Sequence, residues 1–485
     1  ANMAAREYNL IIWGGSGFTG RLAAEYLARK YTPGGQSAGP SNGLGAAAPG
    51  ATSESVRWAI AGRDRAKLEV VRDGILKKHP HVQGIDILVG STDDPASLEA
   101  VASKANTVLS FAGPFASFGM PLVDACVKCG TDYCDVTGEP TFIRAVVDKH
   151  DAAAKKAGAC IVNCVGYDSI PWDLGAWAVA TYLRKAGDEC TLAVGHVGEA
   201  KGGISGGTVA SAVNLLATTP WATLRAMSSP HFLAASGKPA PSADPEAAAR
   251  WKTQSSFMYD KDVKRWTMPS IMAGINTKVV GRSAFLAPSA PYAPSFAYNE
   301  SDLCSGVGAA ATGTAAIGFF GAMLMFPPTR WLLTSTLLPK PGQGPSENMR
   351  ETGFAHVYVV GTGKANLPPS SGRSDQSEAG PGTDAADPTN QTPPGSGPGP
   401  AKVVAHMEFK NADPGYKGTA ALAVEAALCL ALPTERAKTP GHGKGLGGGC
   451  LTPAVALGQV LVDRLNRSDT FAFEVGPLKD TVIRG

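Results

Sequence analysis

The sequence carries almost no excess charge: 44 Lys and Arg stand against 41 Asp and Glu, for a net charge of +3. The basic residues are scattered rather than striped, which excludes a phosphate-tracking face and a nucleic-acid partner. Histidine is scarce, with eight in 485 residues, and none has the spacing of metal ligands. His196 is the one near a glycine-rich turn, and a core or surface role suits it. The nine cysteines are odd in number and irregularly spaced, which excludes a disulfide framework. Cys126-Val-Lys-Cys129 with Cys134 makes half a metal site that nothing completes, so no metal is expected. No secretory signal or transit peptide is visible, and the protein reads as intracellular with reduced thiols.

What is present is most informative near the start. Tyr8–Trp13 is an apolar strand, Gly14-Gly15-Ser16-Gly17-Phe18-Thr19-Gly20 a glycine-rich turn, and Arg21–Ala28 a helix. Strand, glycine turn and helix in that order make a dinucleotide-binding βαβ unit. Gly15, Gly17 and Gly20 fit G-x-G-x-x-G. The first is expected to permit the tight turn, the second to let pyrophosphate approach, and the third to pack helix on strand. The phosphates would then sit at the positive helix N-terminus.

Alternation of apolar strands with helices continues to about residue 165, through strands near 56–61, 85–89, 107–111, 132–136 and 160–164. Strands apolar on both faces imply a parallel sheet covered on both sides. The fold class is therefore α/β, with an N-terminal doubly wound parallel sheet over 1–165. Residues 31–55, rich in Gly, Ala, Pro and Ser, read as a disordered insertion. The second strand ends in Gly62-Arg63-Asp64-Arg65. An acidic residue there would bind a ribose 2′-hydroxyl, whereas Arg63 accommodates a 2′-phosphate, favouring NADP(H) over NAD(H). Asp64 is better placed to cap the next helix.

Beyond residue 166 the pattern changes to an expected second domain over 166–450. The glycines of Lys201–Thr208 make either a second anion-binding turn or the bend where sheet meets helix. Gly306–Phe326 is nearly free of charge and opens an apolar segment over 306–338, read as a buried or membrane-lying helix rather than a spanning one. Residues 366–400 are low in complexity and read as a disordered tip between two strands, Phe354–Val360 and Lys402–Phe409. Residues 451–485 are expected to form a C-terminal helix, opened by Thr452-Pro453, and a tail packing back on the first domain.

Several motifs in one order resemble the saccharopine dehydrogenase-like oxidoreductases. They are Gly14–Gly20, Ala61-Gly62-Arg63, Ala112-Gly113-Pro114-Phe115, Asp135–Glu139, Gly166–Asp173, Gly206-Gly207-Thr208 and Pro339–Ser346. The resemblance implies a Rossmann domain followed by an α+β domain, and a possible homodimer through the second. It also implies lipid-droplet or membrane association in eukaryotic relatives and trans-acting enoyl reduction in a bacterial branch.

Turns leaving the carboxyl ends of the strands are where a cofactor crosses such a sheet. Gly14, Gly15, Ser16, Gly17, Phe18, Thr19, Gly20, Arg63, Asp93, Ala112, Gly113 and Pro114 are therefore the candidate cofactor-binding residues. Tyr167, Asp168 and Ser169, with Glu139, are the candidate proton donors or substrate binders. Asp168 and Ser169 would equally suit capping of the helix at Pro171. Tyr26 and Lys30 have a Tyr-x-x-x-Lys spacing but point away from the strand edge. The expected activity is NADP-dependent reduction of a carbonyl or enoyl group on an apolar, lipid-like small molecule. Two alternatives remain: a nucleotide-binding structural protein that has lost catalysis, and a saccharopine dehydrogenase, for which the second half offers no arginine cluster to hold three carboxylates.

Overall fold

The computed structural model describes residues 6–31, 56–203, 213, 215, 219–234, 250–251, 253–287, 291–336, 344–364, 402–443 and 446–484. Residues 32–55, 204–208, 337–343 and 365–401 lie outside them. The two expected disordered segments, the second glycine turn and most of the 339–346 motif fall there.

Two seven-stranded sheets form the frame. The first has the order β13-β6-β5-β4-β1-β2-β3, built from β1 Tyr8–Trp13, β2 Trp58–Gly62, β3 Asp86–Val89, β4 Ala105–Ser110, β5 Asp132–Asp135, β6 Cys160–Val162 and β13 Gly449–Leu451. Every pairing in it is parallel. Leu10, Ile11, Ile12 and Trp13 are all buried, as the continuous apolar run of a central parallel strand requires. Helix starts follow local chemistry. Asp64 accepts from the Lys67 N–H to cap Arg65–Lys78, and Asp94 accepts from Ala96 and Ser97 ahead of Pro95.

The second sheet runs β14-β12-β11-β7-β10-β9-β8. Its members are β7 Cys190–Lys201, β8 Met258–Asp260, β9 Arg265–Pro269, β10 Ala297–Cys304, β11 Phe354–Gly363, β12 Lys402–Phe409 and β14 Phe471–Pro477. β7 and β10 are parallel, and the other pairings are antiparallel. The expected strand pair across 366–400 is β11 with β12, joined from Ala355↔Phe409 to Thr362↔Lys402. Helices Ile170–Lys185 and Ala273–Leu286 lie against this sheet and are buried for most of their length.

The chain does not divide cleanly near residues 165 and 450. Helix Thr419–Ala431, all thirteen of whose residues are buried, packs on β1, β4, β5 and the first helix, Phe18–Tyr31. β13 then becomes the seventh strand of the first sheet, and β14 returns to the edge of the second. The return therefore starts well before residue 451, and the tail serves both sheets. The cause is apolar area: Leu422, Leu428 and Leu430 are fully buried, contributing about 1.5–3 kcal/mol each.

The apolar segment loses one of its two expected readings, the buried one. Helix Val307–Met325 is apolar and long enough to cross a membrane, yet Ala310 is its single buried residue. Its first half rests on β9, where Gly313 meets Met268. Phe319, Phe320, Met325 and Phe326 are exposed, as are Trp331 and Leu332 in the next helix, Pro327–Thr336. A core helix is thus excluded. Its small residues, Gly, Ala and Thr, bring too little side chain to be enclosed, and its large ones face outward.

Candidate active site

The glycine turn is held between β1 and β2. The Gly14 N–H donates to the Ala61 carbonyl at 2.9 Å, and the Gly17 N–H to the Gly14 carbonyl at 2.9 Å. Gly14, rather than Gly15, takes the left-handed conformation, with φ of 79°, so the tight turn is one residue earlier than the motif suggests. Gly15 serves packing, since a Cβ there would stand 3.0 Å from that of Ile60. A Cβ on Gly20 would run into the Gly14 carbonyl oxygen. The N–H groups of Phe18, Thr19 and Gly20 have no acceptor among the described residues. Three free donors at a helix start, over exposed Gly17, suit a pyrophosphate. Ser16 and Thr19 are half-buried beside them. Phe18 meets Tyr416 edge-on at 5.4 Å, with the Arg350 guanidinium over its face.

The other candidate cofactor residues gather on the same edge. A Cβ on Gly14 would lie 3.0 Å from the Ala112 nitrogen, so the turn Ala112-Gly113-Pro114 touches the glycine turn. Arg63 directly follows β2, is exposed, and engages no carboxylate among the described residues. Its neighbours differ: Arg65 pairs with Glu69 at 3.7 Å and Lys67 with Asp64 at 3.4 Å. An uncommitted guanidinium at the end of β2 suits a 2′-phosphate. Asp93 is exposed on the next turn, which is tied to β2 by the Gly90 N–H donating to the Gly62 carbonyl at 3.2 Å. These residues together fit NADP(H).

The candidate catalytic residues separate. Glu139 is turned to the backbone: its carboxylate accepts from the Phe115 and Ala116 N–H groups at 2.9 and 2.8 Å, at the start of the short helix Phe115–Phe118. Ser169 is fully buried, with its hydroxyl beside the Cys164 thiol. It stands at the N-cap of Ile170–Lys185 without a side-chain capping bond. Asp168 is half-buried. Its carboxylate lies 3.7 Å from where a Cβ on Gly138 would stand, and burial raises its pKa to about 6. Tyr167 is half-buried, its ring 5.1 Å from Trp172 and 5.4 Å from Phe409. Its N–H donates to the Thr419 hydroxyl at 3.1 Å. Burial, then the nearby Asp302, Asp168 and Glu300, push its pKa up, so the hydroxyl is neutral at ordinary pH.

Sequence reasoning missed Glu300 and Asp302, which β10 brings beside Tyr167. Tyr298, Glu300 and Asp302 alternate along β10 and share a face. The fully buried Glu300 accepts from Ser270 at 3.0 Å, Asn276 at 3.2 Å and Tyr298 at 3.2 Å. Burial raises its pKa to about 8 and that of Asp302 to about 6. The only sequence signal was two acids at i, i+2 in a short strand bounded by apolar residues. Asp135 was also missed as a support. Tyr133, Asn163 and the N–H groups of Thr137 and Cys164 all donate to it, fixing the loops that carry Gly138 and Tyr167.

The saccharopine dehydrogenase NADP-binding domain family matches residues 44–162. A Mycobacterium tuberculosis protein named for trans-acting enoyl reduction is 31% identical over 473 residues, 95% of this chain and 96% of its own. The chain belongs to the saccharopine dehydrogenase-like oxidoreductases. A trans-acting enoyl reductase of Mycobacterium ulcerans is 30% identical over 483 residues, again covering 95% of this chain and 96% of its own. The solved saccharopine dehydrogenase (L-Glu forming) of Saccharomyces cerevisiae superposes with a TM-score of 0.44 at 12% identity, over 97% of this chain and 99% of that one. As a saccharopine dehydrogenase-like oxidoreductase, the protein is an enzyme of NADP(H), with a Rossmann domain and a second mixed-sheet domain.

Two other constellations are structural. Tyr26 and Lys30 bond each other at 3.0 Å, but both turn to the buried Glu425, away from the strand edge. Ligand atoms of Asp132, Cys160 and His442 lie within 4.8 Å of one another. The Arg436 guanidinium already sits 3.0 Å from Asp132 Oδ2, supplying from the protein the cation a metal would bring. His196, buried and bonded to the Ser301 hydroxyl at 2.9 Å, is a core histidine.

Proposed function

We propose that this oxidoreductase reduces the carbon–carbon double bond of an apolar, lipid-like enoyl substrate, working at a lipid surface. The observation that carries the reading is the chemistry of the cleft. One side offers the nucleotide-binding turns; the other offers Tyr167, Asp168 and Asp302, and the Arg350 guanidinium that reaches this edge lies over the Phe18 ring. A substrate with three carboxylates, such as saccharopine, would meet like charge there, whereas an uncharged acyl chain would not. Names among the mycobacterial relatives support the enoyl class.

In this reading the Gly14–Gly20 turn holds the pyrophosphate, Arg63 the 2′-phosphate, and Ala112–Pro114 the nicotinamide ribose. The bound cofactor supplies a hydride. Asp168 and Tyr167 hold the substrate beside it: the Tyr167 hydroxyl donates to the carbonyl oxygen, and the ring with Trp172 and Phe409 keeps water out. The exposed helices 307–325 and 327–336 lie on the lipid, with aromatic side chains buried in its surface. The first half of that pair rests on Met268, which faces Asp302 across the β9–β10 ladder, giving an acyl chain a short path from lipid to cleft.

The test is NADPH oxidation by purified protein offered enoyl thioesters of increasing chain length, alongside saccharopine. Turnover that rises with chain length is expected. Turnover with saccharopine alone would sink the reading.

A further inference from the structure

Reduction of an enoyl group needs a proton as well as a hydride, and the proton must reach the carbon next to the carbonyl. Asp168 is poorly equipped to supply one repeatedly. Burial is the single cause of its raised pKa, and no hydroxyl bonded to it leads onward to a second acid. The acids of β10 are arranged differently. The Ser270 hydroxyl donates to Glu300 Oε1 at 3.0 Å and also lies close enough to Asp302 to favour its charged form. Asp302 is half-buried, with a buried Oδ1 that has no hydrogen-bond partner. Asn276 Oδ1, fully enclosed and bonded through its Nδ2 to Glu300, is likewise without a partner. Two orphaned acceptors beside a serine bridge are costly in a core and are explained by a group that arrives there.

We propose that Glu300, Ser270 and Asp302 form a proton relay, with Asp302 delivering the proton to the reduced substrate and Glu300 storing its replacement. This rests on the reductase reading. The balance is simple. Hydride addition to the β-carbon leaves a negative charge on the α-carbon and carbonyl oxygen. An O–H bond on Asp302 breaks as the α-carbon–hydrogen bond forms. The hydroxyl of Ser270 gives its proton to Asp302 and takes one from the Glu300 carboxyl, and solvent returns a proton to Glu300. A hydroxyl can do this because it both donates and accepts.

The surroundings keep Glu300 in its acid form. Burial is the main cause, and the neighbouring Asp302 adds to it against the hydrogen bonds of Asn276, Ser270 and Tyr298. Among the described residues, the groups that act on the pair are Tyr167 from the β6 turn, Ser270, Asn276 from helix 273–286 and Tyr298 on β10 itself, and none of these is a cation. Lys278 and Arg282 on that last helix turn to backbone carbonyls of Gly274, Leu233 and Cys450 instead.

The experiment pairs infrared spectroscopy of the ligand-free protein with pH profiles of NADPH oxidation. At pH 7 we expect the carbonyl stretch of a buried, protonated carboxyl, lost in Glu300→Gln. Asp302→Asn should lower kcat by about 100-fold, in the range of lost general-acid catalysis, with NADPH affinity by fluorescence unchanged. In the native protein kcat should fall above pH about 8. In Glu300→Gln that limb should move toward the Asp302 value of about 6, and Ser270→Ala should slow turnover while keeping the infrared band. Asp168→Asn should raise KM yet leave the limb in place. A Glu300→Gln variant with the native limb and kcat would overturn the relay and leave the reductase reading standing. A native protein that shows the infrared band and binds NADPH, but oxidises it with no enoyl substrate, would overturn the reading and the relay with it.

Discussion

Gly20 carries the least forgiving constraint in the nucleotide site, because any side chain there meets the Gly14 carbonyl. Gly20→Ala must push the first helix off β1 and is expected to abolish NADPH binding in a fluorescence titration while the circular dichroism stays native. In the proposed reading Arg63 acts through charge alone. A hydrogen bond to a charged group is worth about 1.5–3 kcal/mol, so Arg63→Ala should weaken NADPH by roughly 10- to 100-fold and leave NADH nearly unaffected. Equal losses for both nucleotides would show that the 2′-phosphate lies elsewhere. Residue roles were legible where they depend on neighbours in sequence. Asp64 caps its helix, as spacing implied. They were illegible where they depend on a fold-back. Glu139 finds its N–H partners 23 and 24 residues away, and Glu300 meets Tyr167 only because two sheets face each other.

Among the elements, the first helix shows how a catalytic-looking pair can be wholly structural. Glu425 accepts from Tyr26 and Tyr31 at 2.6 Å, from Lys30 at 3.1 Å and from Arg464 at 2.9 Å. Burial alone would raise its pKa, but Arg464, Lys30 and the two hydroxyls outweigh it and hold it near 2. A carboxylate depressed below its unfolded value stabilises the fold above about pH 4.5 and loses that contribution as pH falls toward 2. Glu425→Gln should therefore cost roughly 3–5 kcal/mol at neutral pH by leaving Arg464 uncompensated. Denaturant titrations should show the gap closing as pH drops from about 4.5 toward 2. The apolar helix 307–325 makes the opposite case. Its composition was plain in the sequence, but its burial was not, since Gly, Ala and Thr suit a core as well as a surface. Replacing Phe319, Phe320 and Trp331 together with serine should reduce flotation with lipid vesicles at least tenfold, from the loss of apolar area, without changing NADPH affinity. Unchanged flotation would count against the lipid contact.

Across the whole molecule, the Rossmann sheet and its nucleotide edge were readable from strand–helix alternation, because its central strands, β1 and β2 above all, are coded as short apolar runs. The second domain was less readable. Its sheet is mixed, two of its pairings cross more than ninety residues, and the helices on its inner face belong to both layers. The boundary near residue 165 was a fair guide to the first six strands and a poor one to the chain as a folding unit. A fragment ending at residue 165 lacks β13 and helix 419–431. It should remain soluble only with detergent or chaperone and give a non-cooperative melt, whereas the full chain unfolds in one transition. A stable fragment with a sharp melt would contradict this.

That returning helix has a consequence in time. The face it covers belongs to strands finished by residue 135, yet the helix itself ends at residue 431. At roughly 5–20 residues per second, the ribosome takes on the order of 15–60 s to deliver the missing cover. During that interval the nascent first domain presents an apolar flank beside β4 and β5 that its own later sequence must find. A cell elongating this chain slowly, or without chaperones to shield that flank, would lose product to aggregation before the second sheet had formed.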